Sequence, residues 1–64
     1  MNGTIKRLIA DKDFGFIRGE DGKEYFFHKS GLKNTQFADL HVGQDVTFEE
    51  SEGQKGLRAE DVFV

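Results

Sequence analysis

Short runs in which apolar and polar side chains alternate dominate the sequence, and glycine-containing turns separate them. Five such runs can be read: TIKRLIAD, FGFIRG, KEYFFHK, DVTFEES and LRAEDVFV. A period of two is typical of β-strands that bury one face. The neighbouring Asp21 and Gly22 predict a tight hairpin between the second and third runs, and the glycines of SEGQKG predict the connection between the last two. We therefore expect five short strands.

A chain of 64 residues supports one small core, so the edges of such a sheet must be closed or covered. The segment from Ser30 to Gly43 has mixed character, and we predict a helical turn near Ser30 followed by a long connection. Residues 1–64 are accordingly predicted to form a single all-β domain, a five-stranded antiparallel closed barrel. An SH3-like barrel is the structural alternative.

Composition narrows the possible classes of site. The chain has no cysteine, which excludes disulfides and thiolate zinc sites, and its two histidines, His28 and His41, are too few for a zinc site. No nucleophile paired with a base is evident, so no enzymatic activity is expected. The sequence lacks the apolar segment of a secretory signal and any run long enough to span a bilayer. We expect a cytoplasmic monomer with no cofactor, metal or membrane partner.

Charge is divided unevenly along the chain, whose net charge is −3. Residues 1–29 hold six Lys and Arg against five Asp and Glu, whereas residues 30–64 hold three against seven. Local potential decides whether one surface attracts phosphates, so a negative total does not exclude a nucleic-acid partner.

Strand parity divides the aromatic side chains between two faces. If the second and third strands pair through the hairpin, the predicted core contains Ile5, Ile17, Tyr25, Phe27, Val46, Phe48 and Val62. The opposite face then carries Phe14, Phe16, Phe26 and His28. The alternative is that all the rings are core. Gly15, between two rings, would allow close approach of a ligand or a strand, although a bulge is the more common explanation for a glycine inside a strand.

An exposed cluster of rings usually marks a binding surface. Four cations lie close to these rings in the sequence: Lys6, Arg7, Lys12 and Arg18. Rings interleaved with cations suit unpaired bases, which offer a π-face and a phosphate. The pattern indicates a surface on which single-stranded nucleic acid stacks.

These motifs resemble those of the cold-shock domain, a five-stranded Greek-key barrel of the oligonucleotide-binding fold. KDFGFI is similar to the family's KGFGFI, and YFFHKS is similar to its VFVHFS. The resemblance covers nearly the whole chain. It implies single-stranded RNA or DNA binding, with action as an RNA chaperone or as a cold-shock-type regulator of transcription and translation.

The resemblance also implies roles for individual residues. It makes Phe14, Phe16, Phe26, His28 and Phe37 stacking residues, and it makes Lys6, Lys12 and Lys55 contacts to the backbone of the nucleic acid. For Phe37, packing within the loop and contact with a base are equally good interpretations.

Two positions depart from the family pattern. Arg7 stands where the family has a tryptophan, and Lys29 stands where it has a further aromatic residue. Arginine can stack through its guanidinium plane, so we predict binding that depends more on charge and less on rings. The rival hypothesis is a protein-interaction domain that keeps the barrel but binds nucleic acid weakly or not at all.

Overall fold

Five strands form a closed barrel in the computed structural model, which describes residues 1–53 and 56–64. The strands are β1 (Asn2–Ile9), β2 (Phe14–Gly19), β3 (Glu24–His28), β4 (Asp45–Gly53) and β5 (Gly56–Phe63). Their order around the barrel is β1-β2-β3-β5-β4, with β4 returning to β1. The predicted all-β, five-stranded closed barrel is confirmed, and closure removes the exposed sheet edges.

The barrel is not antiparallel throughout. β3 and β5 run parallel, with Phe26 opposite Arg58, whereas the other four neighbouring pairs are antiparallel. The antiparallel prediction was therefore wrong at this pair, for a simple reason. Directions can alternate around a closed ring only when the number of strands is even, so five strands force one parallel pair. The Greek-key assignment stays a prediction.

The core contains every residue that parity placed there. Ile5, Ile17, Tyr25, Phe27, Val46, Phe48 and Val62 are all buried, and Leu40 and Ala59 join them. Ile17 lies opposite Ile5 on β1 and opposite Tyr25 on β3, so the three strands meet around it. This confirms the inner face and excludes the alternative in which all the rings are core.

An irregularity in β1 changes the side to which its second half points. The register shifts between Ile5 and Arg7, so Ile5 pairs with Ile17 but Arg7 pairs with Phe16. Strict alternation from the buried Ile5 would turn Arg7 inward, whereas this bulge at Lys6 leaves both cations exposed. Arg7 is thereby placed beside the ring of Phe16.

Gly15 permits a close approach on the inner side of the barrel. A Cβ there would lie 2.5 Å from the carbonyl oxygen of Arg7 and 2.8 Å from the ring of Phe27. The pairing of β2 with β3 continues through Gly15 without a shift. The bulge interpretation was therefore wrong at Gly15, because β1 carries the bulge and Gly15 instead admits β1 and the Phe27 ring.

A tight turn joins β2 to β3, whereas residues 29–44 form the long connection that was predicted before β4. Gly22 has φ +83° in the predicted hairpin, where Gly19 N–H donates to the Lys23 carbonyl oxygen at 2.8 Å. The helical turn expected near Ser30 is a 3₁₀ turn, Lys29–Gly31, and two further 3₁₀ turns, Ala10–Lys12 and Phe37–Asp39, were not predicted. Among the described residues no helix is long and apolar enough to cross a membrane.

Candidate nucleic-acid interface

Three phenylalanine rings from two adjacent strands form one cluster on the outer face of the barrel. Phe14 and Phe16 lie on β2 and Phe26 on β3, with Phe16 directly opposite Phe26. Ring centroids are 5.3 Å apart for Phe14 and Phe26, and 6.0 Å apart for the other two pairs. All three rings are half-buried. We call these three residues the phenylalanine patch.

His28 extends the patch at the end of β3, where it pairs with Phe14. Its Nδ1 accepts a hydrogen bond from the backbone N–H of Ser30 at 3.2 Å and lies 3.0 Å from the Ser30 hydroxyl. An accepting Nδ1 leaves the proton of the neutral ring on Nε2. The ring is therefore fixed in orientation, with its Nε2 N–H available as a donor.

Two guanidinium groups flank the patch on opposite sides. The Cζ of Arg7 lies 5.9 Å from the centroid of Phe16, and the Cζ of Arg58 lies 5.7 Å from the centroid of Phe26. Both distances are within the range of cation–π attraction. Arg58 was missing from the sequence prediction, because its proximity depends on the non-local pairing of β3 with β5. The only local signal was its position beside Ala59 in an alternating run.

A groove of about 820 Å³ runs along the patch. It is lined by Phe14, Phe16, Phe26, Gly53, Gly56, Leu57 and Arg58. One wall is thus aromatic and the opposite wall is the β4–β5 hairpin. A flat apolar group can enter this groove and contact the rings.

The predicted lysines differ in their surroundings. Lys6 Nζ lies 3.4 Å from a Glu24 carboxylate oxygen, and Lys29 Nζ lies 3.3 Å from Asp13 Oδ2. Lys12 ends the Ala10–Lys12 turn and is exposed, with no ion pair to any described residue. The prediction for Lys55 falls outside the described residues. Paired lysines contribute less attraction to a phosphate than free ones, because a carboxylate already offsets their charge.

Phe37 lies away from the three rings of the patch. Its ring centroid is 6.2 Å from that of the buried Phe27, and it packs against the core. Of the two interpretations of Phe37, packing is the one that this contact supports. Contact with a base stays a prediction.

Strand β4 is acidic. Glu49, Glu50 and Glu52 are exposed along β4. The Tyr25 hydroxyl is a hydrogen-bond donor to two carboxylates. It lies 2.6 Å from Asp21 Oδ2 and 3.0 Å from a Glu50 carboxylate oxygen. The bond from Tyr25 and one from the Lys23 backbone N–H lower the pKa of the Asp21 carboxyl. Within the described part of the chain, no three His, Cys, Asp or Glu residues cluster so as to hold a metal ion.

The whole chain is similar to one protein family. The model of that family, described as the 'Cold-shock' DNA-binding domain, matches residues 1–64. The chain belongs to the cold-shock domain family. Cold-shock domain proteins generally bind single-stranded nucleic acids and are not enzymes.

Individual relatives agree with this assignment. Cold shock protein 2 of Lactiplantibacillus plantarum is 48% identical over 61 residues, which are 95% of this chain and 92% of that protein. The major cold shock protein CspA of Pseudomonas aeruginosa is 44% identical over 64 residues, covering 100% of this chain and 93% of that one. The solved Drosophila Unr CSD456 structure matches with a TM-score of 0.75 and 25% identity. That match covers 97% of this chain but 25% of the Drosophila chain.

Proposed function

We propose that this cold-shock domain binds single-stranded RNA or DNA by stacking unpaired bases on the phenylalanine patch. One observation carries the proposal: three rings lie in contact on the outer face, although the core is already filled by other side chains. A folded chain gains more from burying rings than from exposing them, so an exposed cluster needs another explanation. Stacking on bases supplies one, at about 1–3 kcal/mol per base.

The flanking groups suit the same ligand. Arg7 and Arg58 place positive charge beside the rings, and Lys12 is exposed in the turn before β2. The fixed ring of His28 adds a further surface for stacking and a donor. A single strand offers bases to the rings and phosphates to the cations at the same time.

The cellular role follows from this mode of binding. Stacking uses the π-face common to all four bases, so the preference among sequences should be shallow. A protein that binds any unpaired segment opposes the formation of base-paired structure in RNA. We infer a role as an RNA chaperone or as a cold-shock-type regulator of transcription and translation.

A competition assay tests the proposal. The labelled ligand is a pyrimidine-rich single strand, and the competitors are the same strand unlabelled and its duplex. Because the bases of a duplex are already stacked and paired, the single strand should compete far better. Phe16→Ala should weaken binding, whereas the control Phe63→Ala, which removes another exposed ring on β5 outside the patch, should not.

Two results would refute stacking. Equal competition by the duplex would indicate attraction by charge alone. No binding of the single strand at all would favour the rival hypothesis of a protein-interaction domain.

A further inference from the structure

Arg58 is the residue through which β5 approaches the phenylalanine patch. It is paired with Phe26 in the parallel contact of β3 with β5, so both side chains point to the outer face. The guanidinium lies over the Phe26 ring, 5.7 Å from its centroid. The backbone pairing thus brings a planar cation to one ring of the patch.

The head group of Arg58 is weakly held by its surroundings. Its nearest ionic partner is Glu60, at 3.9 Å from Nε, and the side chain is 44% exposed. Within residues 1–53 and 56–64 the guanidinium donates no hydrogen bond. A long, exposed ion pair contributes little, so the head group is able to move.

Arg58 also lies where two openings meet. It lines the groove along the patch, and it lines a second cleft of about 290 Å³ together with His28, Ser30 and Lys33. The guanidinium therefore has open space beside it into which it can be displaced.

The spacing above Phe26 is close to that needed for an inserted base. Two stacked contacts of about 3.5 Å each require about 7 Å between the outer planes. This is about 1.3 Å more than the 5.7 Å that separates the Arg58 Cζ from the Phe26 ring centroid. We propose that a base stacked on Phe26 is covered on its other face by Arg58, which opens by this amount and closes over it. This proposal rests on the proposed function and assigns a second stacking plane to the patch.

The chemistry of the pair favours this arrangement. The guanidinium is planar and weakly hydrated, so it stacks on an aromatic face at a lower desolvation cost than an ammonium group. Its outward N–H groups remain free to bind the phosphate of the same nucleotide. Arg58→Lys would keep the positive charge but remove the planar guanidinium group.

The proposal is tested by measuring the affinity of three variants for a pyrimidine-rich single strand. The variants are Arg58→Ala, Arg58→Lys and the control Lys23→Ala. Lys23→Ala removes one exposed cation at the far end of the β2–β3 hairpin. We expect Arg58→Ala to weaken binding by about 3- to 30-fold, the range of a cation–π contact. Arg58→Lys should weaken binding by nearly as much. Lys23→Ala should change affinity by less than about 2-fold. Melting temperatures of all variants identify any loss of folding.

Double variants show whether Arg58 covers the base that is stacked on Phe26 or only attracts the nucleic acid by its charge. If Phe26 and Arg58 enclose the same base, Phe26→Ala with Arg58→Ala should bind within about 2-fold of the weaker single variant. Phe14→Ala with Arg58→Ala should instead show the product of the two separate losses.

Several outcomes would overturn the proposal. Full affinity in Arg58→Lys would reduce the role of Arg58 to charge, and additive losses in the Phe26 pair would place it on another nucleotide. Unchanged affinity in Arg58→Ala would remove it from the site while leaving the proposed function intact. Failure of the parent protein to bind any single strand would instead refute the proposed function, and with it the second stacking plane at Arg58.

Discussion

Asp13 and Lys29 are joined by their main chains and by their side chains. The backbone N–H of Lys29 donates to the carbonyl oxygen of Asp13 at 2.9 Å, and the ammonium lies 3.3 Å from Asp13 Oδ2. Asp13 adopts φ 58°, a left-handed conformation that asparagine and aspartate tolerate better than most residues. The pair ties the turn before β2 to the end of β3, beside Phe14 and His28. Lys29 is therefore already partly neutralised next to the patch.

Asp13→Asn should tighten binding of single strands at low salt. The amide keeps the left-handed turn but removes one negative charge and frees Lys29 for a phosphate. The slope of log affinity against log salt should steepen by up to about 0.7, the value for one additional phosphate contact. Asp11→Asn is the control, because Asp11 is exposed in the neighbouring turn and makes no ion pair within the described residues. Equal gains in the two variants would show that only net charge matters.

The two faces of β2 should respond differently to truncation. Ile17→Ala opens a cavity in the core and should cost roughly 2–5 kcal/mol of unfolding free energy. Phe14→Ala and Phe16→Ala should cost less stability but about 1–3 kcal/mol of binding free energy each. Denaturant unfolding and oligonucleotide titration measure the two quantities. The reverse order, with Ile17→Ala the mildest in stability, would mean that the faces are exchanged.

Gly15→Ala should destabilise the barrel although it adds only a methyl group. Its Cβ would lie 2.5 Å from the Arg7 carbonyl oxygen, a backbone atom that cannot withdraw without moving β1. Overpacking of this kind costs typically 1–3 kcal/mol. At Gly31 the nearest atom to an added Cβ is 3.8 Å away, so Gly31→Ala is a matched control. Similar melting temperatures for both variants would contradict the close approach of β1.

Tyr25→Phe should reduce stability most at neutral pH. The bond from the Tyr25 hydroxyl lowers the pKa of Asp21 below its ordinary value of 3.8, and the same bond raises the pKa of Tyr25. A carboxyl with a depressed folded-state pKa stabilises the fold above its unfolded pKa, and this stabilisation is lost as pH falls through the folded value. The difference in unfolding free energy between the parent protein and Tyr25→Phe should therefore become smaller below about pH 4. Unfolding curves from pH 7 to 3 measure it, and a constant difference would exclude Asp21 as the partner.

The inner and outer faces of β2 and β3 could be predicted from sequence because their pairing is local. The hairpin at Gly22 fixes the register, and alternation then places Ile17 inside and Phe16 outside. Alternation along β1 could not predict the side of Arg7, since that side depends on a bulge between Ile5 and Arg7. Only the resemblance to the family placed Arg7 at the binding face. Arg58 reaches the patch through a contact between strands far apart in sequence, which no periodicity within β5 reveals.

The central claim is that single strands bind on the phenylalanine patch, and a chemical-shift titration of the isotope-labelled protein tests it most directly. With a pyrimidine-rich oligonucleotide, we expect the largest shifts at Phe14, Phe16, Phe26, His28 and Arg58, and small shifts at residues 45–48 of β4. The same titration of Phe16→Ala should require several-fold more oligonucleotide. No shifts at near-millimolar oligonucleotide, or shifts confined to residues 45–48 of β4, would contradict the claim.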